Sequence, residues 1–130
     1  MKEIEIGSKK FSISCHASCY SQYADIFKRN IIEDLQIVSR FSIKQLELAI
    51  EYSKANPKAD SKEIEDFVFQ KTLPELDNYI ECITKLCWIC IYDNNSNIGD
   101  YDSWYKSLER LSLSDNWMLE VMALCANCFR

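Results

Sequence analysis

Glycine and proline are scarce in this chain, two of each, and histidine occurs once. Each scarcity removes a class of function. With only Gly7 and Gly99 available, no glycine-rich loop can wrap backbone N–H groups around a phosphate. His16 is the single imidazole, so any serine–histidine or cysteine–histidine nucleophile must use it. Basic charge is also short: fifteen Lys and Arg against twenty Asp and Glu leave a net charge of −5. The adjacent pairs Lys9-Lys10 and Lys28-Arg29 make no basic patch, and nucleic acid is not an expected partner. No apolar run is long enough to cross a bilayer, so no membrane role is expected. "MKEIEIGSKKF" has no apolar signal-peptide core, and a cytoplasmic location is the expectation. The acidic residues are scattered, and none is paired by spacing for acid–base work.

What is present fits one domain. The 130 residues, 48% hydrophobic and 27% charged, can bury a core without covalent staples. Seven cysteines in such a chain read as reduced thiols, because an odd count fits a disulfide framework poorly and the cytoplasm is reducing.

The expected architecture is mainly α with an N-terminal hairpin: residues 1–14 as a β-hairpin and 15–130 as about five to six helices. Ile4 and Ile6, then a Gly-Ser-Lys-Lys turn, then Phe11 and Ile13 place apolar side chains at period two. Two strands alone are marginal, so the hairpin must lie on helices or pair with another chain. Helices are expected over about 17–29, over the short "IIEDLQIVSR", and over "SIKQLELAIEYSKANP", where Ser42 and Gln45 form a capping-box pattern and Pro57 bars continuation. Asp60 with Glu63 marks another start. Thr72 and Pro74 mark the next, over about 74–92. "DNNSNIGDYDS" is a polar loop. A short helix, "DSWYKSLERL", starts at Asp102 or Ser103, and Ser114 caps "DNWMLEVMALCANCF".

The cysteine pairs raise the question of metal. Advancing about 100° per residue from Leu76 puts Tyr79, Ile80, Ile83, Leu86, Cys87, Cys90 and Ile91 on one apolar stripe. Cys87 and Cys90 therefore read as core, where a free thiol behaves as a small apolar group. Trp88 falls on the opposite side with Glu81, Thr84 and Lys85; it meets another helix or serves a partner surface. The competing set, Cys87, Cys90, Cys125 and Cys128, has the ligand types for tetrahedral zinc. Both pairs nevertheless lie in apolar helical sequence without the tight turn of a zinc knuckle. Cys15, His16 and Cys19 are ligand types without a fourth partner; they could alternatively form a cysteine–histidine nucleophile. A redox pair needs a βαβ setting and a helix N-terminus, which Cys87 lacks. The Asp93, Asn95, Asn97 alternation suggests a calcium loop but fails at Ile98 and Trp104. No cofactor is expected.

The last helix is apolar nearly all round, through Trp117, Met118, Val121, Met122, Leu124, Cys125, Cys128 and Phe129. Such a helix is central to its domain or buried in an assembly, self-association included.

The hairpin "KEIEIGSKKFSIS", the helix "QLELAIEYSKA", a polar break and the closing "SDNWMLEVMALC" resemble the tail assembly chaperones of siphophages and related prophages of Gram-positive bacteria. That resemblance implies a non-enzymatic, largely helical protein. It implies binding to the long tape measure protein, which is kept soluble while tail tube protein subunits assemble around it. Exposed apolar stripes on such a helical partner aggregate unless covered, and a helical surface can cover them. Trp88, Trp104, Tyr105, Met118 and Met122 are the candidate contacts.

Overall fold

The computed structural model describes residues 2–113 and 115–129. Strands β1 (Lys2–Ile6) and β2 (Lys9–Ile13) pair antiparallel with Ile4 opposite Phe11 and Lys2 opposite Ile13. The turn is tighter than expected, because Lys9 is already in the ladder and only Gly7 and Ser8 connect the strands. Gly7 has φ of 62°, and a Cβ there would stand 3.2 Å from Arg110 Cγ. Glycine is thus favoured by the left-handed backbone, and any larger residue would also press on the Arg110 side chain. Ile4, Ile6 and Ile13 are buried as their alternation dictates. The hairpin's exit is tied to a helix, with Ser14 N–H donating to the Cys90 carbonyl at 3.1 Å.

Among the described residues, five α-helices follow: α1 (Cys19–Phe27), α2 (Ile31–Ala55), α3 (Ser61–Asn94), α4 (Tyr101–Ser107) and α5 (Trp117–Phe129), with a 3₁₀ turn over Ser96–Ile98. The fold class is mainly α with an N-terminal hairpin, as the patterning predicts. Three expected boundaries differ. Ser42 does not start a helix: α2 runs through it for 25 residues. Nothing from Ile37 to Gln45 breaks a helix, and Val38 and Phe41 keep one face buried across the supposed gap. Asn30 is the cap, accepting from the N–H groups of Ile32 and Glu33. Pro74 does not start a helix either. The 34-residue α3 passes through it, and Thr72, instead of capping, donates its hydroxyl to the Val68 carbonyl at 2.8 Å. Packing on α2 from both sides of the proline outweighs its missing N–H. The start of α4 is capped by Asp100, which accepts from Ser103 N–H. Asp60 caps α3 as expected, accepting from Glu63 N–H at 2.8 Å. The expected cap Ser114 lies outside the described residues.

Helices α2 and α3 form an antiparallel pair. Phe41 stacks on Tyr79 with ring centroids 4.1 Å apart, Lys44 bridges to Glu75, and Tyr52 meets Phe67 at 4.5 Å. Their shared base, from Ile31 to Phe41 and from Tyr79 to Ile91, belongs to the core, which the hairpin, α1, α4 and α5 surround. Their far ends project beyond it with mostly exposed side chains. No helix among the described residues is long and apolar enough to cross a membrane.

Candidate functional site

The five expected contact residues separate into core and surface. Trp88 is buried: its indole N–H donates to the Gly99 carbonyl at 3.2 Å, and its ring meets Phe27 edge-on and Tyr92 face-on. The face read as polar is covered by α1 and α4. Thr84 donates to the Ile80 carbonyl and meets the Tyr101 hydroxyl at 2.7 Å, while the Lys85 ammonium lies over the Phe27 ring. Polar groups satisfied this way can be covered, so Thr84 is buried and Lys85 largely enclosed while Glu81 stays exposed. Trp104 is also buried, edge-on to Phe11. Neither tryptophan has a face to offer a partner in this conformation. Tyr105 is exposed and stacked on Tyr101.

Met118 and Met122 lie elsewhere, at the foot of an apolar groove between the projecting α2–α3 pair and the start of α5. Met118 Sδ receives the Tyr79 hydroxyl at 3.2 Å, and Met122 Sδ faces the Ser42 hydroxyl at 3.7 Å. The groove has a volume of about 690 Å³. Its walls carry large apolar side chains left in solvent: Leu46 62% exposed, Phe69 52% and Leu119 62%. Glu65 and Asp66 stand on its rim. Leu46, Phe69 and Leu119 were not legible as surface, because a helix apolar on more than one side does not reveal which side another element covers. An i,i+4 stripe looks the same whether or not another element covers it.

Five of the seven cysteines are buried, Cys15 and Cys128 are half-buried, and their grouping differs from the competing zinc quartet. Cys87 does not join the others. Instead Cys15, from the linker after β2, meets Cys90 of α3 and Cys125 of α5, with all three Sγ atoms within 4.8 Å of one another. Cys90 and Cys125 are 3.6 Å apart. Hydrogen bonds from Cys15 and Cys90 pull the Cys125 thiol down to about 5, whereas burial pushes the Cys87 thiol well up. His16 makes no thiol–imidazole pair among the described residues. Its Nδ1 donates to the largely buried Asp93 carboxylate at 2.6 Å, which also accepts from the Ser14 hydroxyl at 2.6 Å. Asp93 therefore ties the linker to the end of α3.

The chain matches no protein-family model, no curated protein and no solved structure.

The reading of function thus rests on surface and chemistry. The groove is an open, largely apolar channel with Glu65 and Asp66 among its lining residues. The thiol cluster is enclosed and offers soft ligands. The two are separate, since no cysteine lines the groove.

Proposed function

We propose that this protein is a phage or prophage tail assembly chaperone, non-enzymatic and acting in the bacterial cytoplasm. It binds the tape measure protein and assists assembly of tail tube protein around it. The observation that supports this reading is the groove walled by Leu46, Phe69 and Leu119. Large apolar side chains clustered in solvent mark an association surface. An amphipathic helix laid between α2–α3 and α5 would cover them, its apolar residues against Met118 and Met122. Glu65 and Asp66 favour a segment with Lys or Arg flanking its apolar stripe. Methionine side chains suit successive segments of a long repetitive partner, because they repack readily. The tryptophans Trp88 and Trp104 serve this reading only as core.

The test is co-expression of the chain with a candidate tape measure protein, sought as a very long helical open reading frame downstream of its gene. The wild type should keep that protein soluble and co-purify with it. Leu46→Glu, Phe69→Glu and Leu119→Glu should abolish co-purification, because each puts a charge into the apolar contact. All three side chains are exposed, so thermal stability should change by no more than about 0.5 kcal/mol. Undiminished binding by all three variants would remove the groove as the docking site.

A further inference from the structure

Three separate parts of the chain deliver a thiol to one interior point. Cys15 comes from the segment between β2 and α1, Cys90 from the last turns of α3, and Cys125 from the middle of α5. Thiolates around tetrahedral zinc, each about 2.3 Å from the metal, stand about 3.8 Å from one another. The Cys90–Cys125 separation of 3.6 Å already has that edge length. Burial alone does not require such convergence. Cys82 and Cys87 are as deeply buried as Cys90 and Cys125, yet remain outside the group. Two further thiols are near in the chain: Cys19 opens α1 four residues after Cys15, and Cys128 follows Cys125 by three residues, about one turn on in α5.

We propose that Cys15, Cys90 and Cys125 bind one Zn(II) ion as thiolates, with Cys19 or Cys128 closing the fourth position. Each ligand binds as a thiolate, any proton it holds leaving to solvent on binding, so a four-thiolate site carries two negative charges. A site closed by four protein ligands is structural. The ion would staple the hairpin linker to α3 and to α5, the helix that forms one wall of the groove. No cysteine lines the groove, so this site stands independently of the chaperone reading.

The experiment uses the full chain, purified under reductant, stripped of metal and titrated with Co(II) and then Zn(II). The expected result is one Co(II) per chain. It should show the visible d–d bands of tetrahedral coordination and strong thiolate-to-metal charge transfer, both displaced by one equivalent of Zn(II). Cys15→Ser, whose side chain is only half-buried, should lose the tetrahedral spectrum while keeping the helical circular dichroism. Cys82→Ser should keep the spectrum. One of Cys19→Ser and Cys128→Ser should lose one thiolate's share of the charge-transfer intensity. Zn(II) should also raise the melting temperature of the wild type and not of Cys15→Ser. A folded wild type that binds no stoichiometric metal, or a Cys15→Ser variant that binds as the wild type does, overturns the proposal. Full intensity in both Cys19→Ser and Cys128→Ser overturns the four-thiolate assignment. Tape measure binding by a metal-free wild type would leave the chaperone reading standing when this one falls.

Discussion

Asp34 is a nearly fully buried carboxylate that accepts from the Tyr23 hydroxyl at 2.6 Å and from Arg29 Nε and Nη2 at 2.7 and 3.0 Å. The arginine belongs to the α1–α2 connection and the tyrosine to α1, so this one side chain fastens α1 to α2. A buried charge stripped of its partner is costly, because water cannot replace the lost donors. Arg29→Ala should therefore destabilise the fold by roughly 3 kcal/mol in urea titrations. Tyr23→Phe, which leaves the bidentate pair intact, should cost about 1 kcal/mol. Asp93 makes a second prediction at this scale. Partial desolvation pushes its pKa up, but hydrogen bonds from Ser14, His16 and Cys19 outweigh this and hold it below the ordinary carboxylate value. A depressed native pKa contributes stability that is complete above the unfolded value of about 3.9 and is lost as pH falls through the native one. Stability of the wild type should thus fall on acidification below about pH 4 more steeply than that of Asp93→Asn. Equal slopes in the two proteins would show that Asp93 does not contribute to acid unfolding.

The elements show where local signals stop short. Asp60 before Glu63 names a true helix start, and Pro57 a true stop just beyond α2. Ser42 with Gln45 has the same capping spacing as a start and is not one, since Val38 and Phe41 are buried just before it and the helix runs on to pack Tyr52 on Phe67 of α3. Pro74 likewise stands inside α3, on its exposed side. There it leaves the Gln70 carbonyl without its usual donor four residues on. Pro74→Ala restores that donor and should stabilise the chain by about 1–3 kcal/mol, read as a raised denaturation midpoint with unchanged slope. A changed slope would mean that the proline instead shapes how α2 and α3 separate.

At the scale of the molecule, the α2–α3 pair outgrows its own core. Its base is sealed by the hairpin, α1, α4 and α5, and its far end is left with Ile43, Leu46, Ile50, Phe69 and Leu73 in solvent. Exposed apolar patches of this kind mark association surfaces, and a second copy is the occupant we expect when no other partner is present. Light scattering should show concentration-dependent association of the wild type that Leu46→Glu and Phe69→Glu suppress. A wild type that stays monomeric at high concentration would confine the groove to a foreign helix. The terminal helix α5, apolar nearly all round, turns out to divide its circumference. Trp117, Met118, Val121 and Cys125 face the core, and Leu119 faces solvent beside the groove.

Period-two and helical patterning determined the hairpin with Ile4, Ile6 and Ile13 inside, the helical remainder, and the burial of Cys87, Cys90 and Cys125, because these depend on which neighbours lie one strand step or one helical turn away. Tertiary structure alone decided that Trp88 and Trp104 are covered while Leu46, Phe69 and Leu119 are not, and that Cys15 replaces Cys87 beside Cys90 and Cys125. The physical reason is the same in each case. A helix has a face wherever its residues repeat, but whether that face is buried or open, and which thiol reaches it, depends on what lands there from far along the chain.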